Sequence, residues 1–111
     1  MDPDAIIDLF QAFGPVTVRR MFGSRGVFAD GLMIALESRG VVYLRTDEAG
    51  QARFRDAGGA PFTYQRKGLP AAITSYWRVP DAVLDDADEL AAWSRDARAV
   101  AAAKAAAKHR P

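Results

Sequence analysis

Hydrophobic positions keep a helical spacing at both ends of the chain and a spacing of two in between. Ile6, Ile7, Leu9, Phe10 and Phe13 recur on one side of a helix, Asp2 and Pro3 supply a cap and a first-turn proline, and Gly14-Pro15 stops the run. This predicts a first helix over about residues 3–13. From Val16 to Arg45 the period becomes two, with β-rich segments near 16–22, 26–29, 32–37 and 41–45 broken at Gly23, Asp30-Gly31 and Arg39-Gly40. Asp-Gly is a strong hairpin signal. Asp47 can cap a second helix running to about Ala57, ended by Gly58-Gly59. Two further strands, 61–66 and 73–78, join through Lys67-Gly68, and Pro80 ends the second. After Asp81 the stripe Val83, Ala87, Leu90, Trp93, Ala97, Val100 predicts one last helix.

The order α-β-β-β-β-α-β-β-α, with hairpins in sequence, predicts a two-layer α+β domain over residues 1–100, its antiparallel sheet packed against helices. Residues 101–111 keep helix propensity but only alanine and basic side chains, so this tail either frays or meets a partner. The expected core includes Ile6, Leu9, Phe10, Phe22, Leu36, Leu44, Phe62, Trp77, Leu90 and Trp93. Strict alternation puts Leu32, Ile34 and Leu36 on one face and Met33 and Ala35 on the other, while Val42 and Leu44 oppose Val41 and Tyr43. Both faces of the central strands are therefore apolar. Either the last helix covers the second face or a second subunit does, and the intramolecular cover is the reading adopted.

Composition narrows the chemistry. With 111 residues there is room for one domain, and fifteen Lys+Arg against fourteen Asp+Glu leave a net charge of +1, too little for a whole-molecule field that attracts nucleic acid or anionic lipid. Any basic surface must be local. Cysteine is absent and His109 is the one histidine, which excludes disulfides, thiolate metal sites, Cys-His and Ser-His-Asp catalysis and paired-histidine metal centres. An N-terminus carrying Asp2 and Asp4, and the lack of an apolar run of ~18 residues, predict a cytoplasmic protein with no membrane partner.

The remaining clusters have plain structural explanations. Asp85, Asp86, Asp88 and Glu89 lack the order of a calcium loop and suit a helix start, where negative charge is favoured. Gly23-Ser24-Arg25-Gly26 matches no phosphate-binding loop and reads as a strand-connecting turn. Lys104, Lys108, His109 and Arg110 suit the negative end of a helix dipole. Arg19-Arg20 beside Phe22, Arg25 and Phe28, together with Tyr64-Arg66-Lys67 and Tyr76-Trp77-Arg78, make a basic and aromatic mixture of the kind single-stranded nucleic acids use. Alternation turns Arg20 toward the core side, where it would need a carboxylate such as Asp30, Glu37 or Asp47.

Arg19-Arg20-Met21-Phe22-Gly23, then Gly26-Val27-Phe28-Ala29-Asp30-Gly31-Leu32-Met33-Ile34-Ala35-Leu36, then Tyr43-Leu44-Arg45-Thr46-Asp47, resemble the N-terminal domain of the TfoX/Sxy competence regulators. Phe54, Gly58, Pro61-Phe62-Thr63-Tyr64, Tyr76-Trp77-Arg78-Val79-Pro80 and Leu90-Ala91-Ala92-Trp93 continue the likeness, over about residues 5–100. The resemblance implies an α+β regulatory module without enzymatic activity or cofactor, linked in the family's namesakes to competence gene expression alongside the cyclic-AMP receptor protein. Those regulators carry a second domain for which 111 residues leave no space, so work that depends on it does not carry over. Departures are Ser24 where glycine is frequent, Phe28 for tyrosine and Ile34 for phenylalanine.

The leading reading is a noncatalytic regulatory or protein-interaction module with a protein partner, such as transcription machinery, and with self-association as a homodimer left open. The candidate surface is Arg19, Arg20, Met21, Phe22, Gly23, Arg25, Tyr76 and Trp77. The alternatives are direct nucleic-acid binding through that surface, with Arg66 and Lys67 added, and an enzyme using Asp30, Glu37 or Tyr43. No metal ligand or cofactor site is expected.

Overall fold

Four hairpin turns of one kind set up the sheet. The computed structural model describes residues 1–108, so the expected dipole contacts of His109 and Arg110 lie outside the described residues. Strands β1 (Thr17–Met21), β2 (Ser24–Ala29), β3 (Leu32–Ser38), β4 (Val41–Arg45), β5 (Pro61–Arg66) and β6 (Leu69–Arg78) form one antiparallel sheet in the order β1-β2-β3-β4-β6-β5. Phe22-Gly23, Asp30-Gly31, Arg39-Gly40 and Lys67-Gly68 each join adjacent strands with φ positive at both residues. That is the backbone of the type I′ turn, whose twist matches the flanking strands. The α+β architecture read from the sequence is the one observed.

Helices α1 (Pro3–Leu9), α2 (Gln51–Asp56), α3 (Asp81–Leu84) and α4 (Ala87–Lys108) fill the connections. The Asp2 carboxylate accepts from the Ala5 amide at 2.8 Å and caps α1. This helix is shorter than its hydrophobic spacing predicts, because the chain leaves it at Phe10, whose carbonyl accepts from both Phe13 and Gly14 amides at 3.0 Å. The single last helix is in fact two. Asp86 accepts from the Asp88 and Glu89 amides at 3.1 Å each and starts α4 afresh. The acidic stretch is thus used for capping.

All four helices lie on one side of the sheet. Ile6 and Phe10 on the α1 side, Phe54 of α2, Val83 of α3, and Leu90 and Ala97 of α4 share one core with Val27, Ile34, Ala35, Val42, Leu44 and Trp77 of the strands. Phe54 meets the Trp93 ring edge-on at 5.0 Å, and the Arg53 guanidinium covers the same ring at 3.9 Å while pairing with Asp96 at 3.0 Å. Small residues Ser94, Ala97 and Ala101 are buried along α4, letting it lie close to β3 and β4. No helix among the described residues is long and apolar enough to cross a membrane.

Three expectations are corrected. Phe22, expected in the core, is fully exposed in the first hairpin turn. The alternation read for β3 fails because a bulge interrupts its pairing with β2: Val27 faces Ala35 but Phe28 faces Met33. Ile34 and Ala35 are therefore both in the core, and Met33 and Leu36 go to the opposite face. The last helix does not cover that opposite face, since α4 joins the other helices on the core side.

Gly59 is a tight point of this frame. A Cβ there would approach the Phe54 carbonyl oxygen at 2.9 Å and that of Arg78 at 3.0 Å. Both are backbone atoms fixed by the end of α2 and the edge of β6, so Gly59→Ala should destabilise the protein by ~1–3 kcal/mol through a forced backbone shift. Chemical denaturation checks this.

Candidate functional site

Cross-strand pairs fix which side chains reach the helix-free face. Arg19, Gly26, Leu36 and Tyr43 stand opposite one another across β1 to β4, and Met21 pairs with Ser24. The next row, Arg20, Arg25, Glu37 and Val42, points to the helix side, where Val42 joins the core. Gly26 leaves room on the open face for the Met21 sulfur and the Phe28 ring, which a Cβ would meet at 2.8 and 2.9 Å.

A break in register between β5 and β6 gives the open face a wall. Pro61 is opposite Trp77 but Phe62 is opposite Ile73, so three residues of β6 bulge out and the hairpin bends. The Thr74 carbonyl at the bend accepts from the Trp77 indole at 2.9 Å and from the Gln51 amide at 3.0 Å. The bend brings the Phe62 ring edge-on to Tyr43 at 5.0 Å, with Tyr64 stacked beyond it at 6.5 Å. Between this arm and the turns at Phe22 and Arg39 lies a groove of about 1110 Å³, with Met21, Met33, Leu36, Tyr43 and Ile73 among its apolar lining.

The structure splits the surface expected from sequence. Met21, Phe22, Gly23 and Tyr76 line the groove, and Arg19 flanks it with its guanidinium 4.9 Å over the Phe28 ring. Arg20 is exposed on the other side. Arg25 is there too, paired at 3.4 Å with the buried carboxylate of Glu37, which also holds the Met1 amino group at 3.3 Å. The carboxylate sought for Arg20 thus goes to Arg25. Trp77 packs in the core, 6.5 Å from Phe54. The acid and base candidates Asp30 and Glu37 are engaged in ion pairs, Asp30 with Arg98.

Arg39, Phe62 and Tyr43 also line the groove and are absent from the candidate surface read from the sequence, although apolar residues on both faces of β4 were the signal for Tyr43. Phe62 and Tyr64 reach the groove only through the bend in β6, and that bend has no sequence mark.

Tyr76 forms part of the groove floor. Its hydroxyl donates to the Met33 carbonyl at 3.4 Å, and Arg45, which donates to the same carbonyl at 3.1 Å, lies 5.7 Å over its ring. Burial pushes the Tyr76 phenol above 10.0, and the Arg45 guanidinium offsets part of that rise. A raised folded-state value favours the neutral phenol. Its contribution to stability is therefore complete below pH 10.0 and lost as the pH climbs through the folded value. Thermal melts should show wild type losing stability in that alkaline range that Tyr76→Phe retains.

Phe22 shares with Arg39 and Lys67 a positive φ at a side chain other than Asn, Asp or Gly, and of the three it alone is aromatic. Positive φ is easy for Asn, Asp and Gly and strained for an aromatic residue, yet Phe22 holds φ 47° with its ring in solvent. Phe22→Asn should leave stability unchanged or raise it by up to ~1 kcal/mol, measured as a shift in denaturation midpoint. A loss of stability would mean that the ring packs on the fold.

The family model of the TfoX N-terminal domain matches residues 8–101, and the chain belongs to that family. No curated protein matches it.

Proposed function

We propose that this TfoX N-terminal domain is a noncatalytic regulatory module that works by binding, with the helix-free groove as its contact surface. The observation that carries this reading is Phe22: an aromatic ring held fully in solvent on strained backbone, at the rim of an apolar groove. Such a residue does nothing for the isolated fold and gains only when a partner covers it.

The size of the groove favours a macromolecule. Its 1110 Å³ lies above the ~300–1,000 Å³ of small-molecule pockets. Its polar lining consists of Ser24, Ser38, Arg39, Thr63 and Gln65 together with phenols, groups that form hydrogen bonds but do not shuttle protons near neutrality. Burial keeps the Tyr76 phenol still more fully protonated near neutrality. The groove's occupant is then a macromolecule: a regulatory protein partner such as transcription machinery, a second copy of the chain, or a nucleic acid.

Photocrosslinking in living cells tests the reading. Benzoylphenylalanine at positions 22 and 64, which border the groove, should give discrete adducts, while the same group at exposed position 102 of α4 should not. Equal labelling at all three positions, or none at 22 and 64, would overturn it. The mass of an adduct also reports whether protein or nucleic acid was captured.

A further inference from the structure

We infer that the occupant of the groove is a single strand of nucleic acid, lying between the sheet and the bent β5–β6 arm with its bases against aromatic rings and its phosphates on flanking arginines. This deepens the binding reading above and rests on it. The first ground is how charge is sorted between the two layers. The groove lining contains Arg39 and no carboxylate, Arg19 flanks it on the same face, and Arg45 lies beside it in a neighbouring hollow that it shares with Asp47 and Glu48. Asp30 and Glu37, the two acids of the strand region, are paired with Arg98 and Arg25. The other acids lie on the helices and their connections. A near-neutral protein thus presents a locally cationic groove, and an anionic ligand is the one whose sign it complements.

The second ground is the kind of apolar surface. Phe22 at one rim, Tyr43 in the floor, and Phe62 and Tyr64 on the arm place rings along the groove. Tyr64 and Phe22 are both exposed. Ring faces beside arginines suit unpaired bases, which stack without regard to sequence. Duplex DNA hides those faces, so an extended single strand is the form that fits. An acidic amphipathic peptide would satisfy the same charge, and the experiment distinguishes it.

The test is fluorescence anisotropy of labelled, mixed-sequence 20-nucleotide DNA and RNA strands, titrated with the full chain at about 50 and 200 mM salt. With two or three phosphates held, affinity for the single strand should fall about 7- to 20-fold between these conditions. Arg39→Ala should flatten the logarithmic salt slope by about 0.7. Tyr64→Ala and Phe22→Asn should each weaken binding about 5- to 160-fold, with melting curves showing both variants folded. A duplex of the same sequence should bind more weakly than either strand, and Arg95→Ala, on the exposed side of α4, should change nothing. Absent or salt-independent binding at low salt overturns the inference, as does binding that ignores Tyr64→Ala and Phe22→Asn. If no strand binds while crosslinks at positions 22 and 64 capture a protein, the inference falls and the binding reading stands. If neither ligand is found, both fall.

Discussion

Trp77→Ala should destabilise the protein by ~3–5 kcal/mol, the cost of emptying a large aromatic site in a packed core. Its side chain is buried, donates its indole N–H to the Thr74 carbonyl at 2.9 Å, and lies between Phe54 and the Arg55 guanidinium, which sits 5.5 Å over the ring. Truncation removes the apolar contact and also the indole hydrogen bond to the Thr74 carbonyl. Against a typical stability of ~5–15 kcal/mol, such a loss unfolds a large share of a marginal domain near its growth temperature. Urea denaturation measures it. A cost below about 1 kcal/mol, in line with an exposed position, would contradict the placement of Trp77 in the core and return it to the candidate contact surface.

The second large effect separates the two faces of the sheet. Leu44 is fully buried on the helix side, between Ala35 and Trp77 across the strands. Leu44→Ala should cost ~2–5 kcal/mol, because helices close the site from above and a cavity remains. Leu36 sits one strand away at 5% exposure but faces the groove. Leu36→Ala leaves a dent open to water rather than a sealed void, so it should cost little more than the transfer term, ~1.5–3 kcal/mol. Measured side by side in urea, Leu44→Ala should be the more damaging. Equal costs would mean that something covers both faces in solution, and a reversed order would contradict the assignment of the helices to the Leu44 side.

Much of this fold was legible because turn chemistry is local. Asp-Gly, Arg-Gly and Lys-Gly each sit where the backbone needs two positive φ values, and the flanking periods agree with the strands that form. Asp2 and Asp86 likewise act at the helix starts where acidic residues are favoured. The failures come from features with no local mark. The bulge at Ile34 shifts the alternation of β3 by one residue, so Ala35 joins Ile34 in the core and Leu36 changes to the face that holds Met33. Phe22 was placed in the core because it is a phenylalanine in a β-rich run, whereas it occupies the turn itself. The bend in β6 depends on how β5 pairs with it, and that bend alone brings Phe62 to Tyr43. The structure accordingly divides the candidate surface: the stretch from Arg19 to Gly23 borders the groove except for Arg20, while Arg25 and Trp77 belong to the other side of the sheet.

The separation of layers leaves one face of the sheet that the fold does not consume. Helices close one face with alanines and aromatic rings, and the other is left with methionines, tyrosines and arginines. Met21 and Met33 are useful natural probes, since both line the groove and the chain has only three methionines.

The most direct measurement is a methyl NMR spectrum of the protein carrying labelled methionine and alanine methyls, recorded with and without a mixed-sequence 20-nucleotide single strand. The account predicts that the Met21 and Met33 signals move while those of Ala97 and Ala101, on the buried side of α4, stay in place. Shifts confined to the alanines of α4, with both groove methionines unmoved, would contradict it.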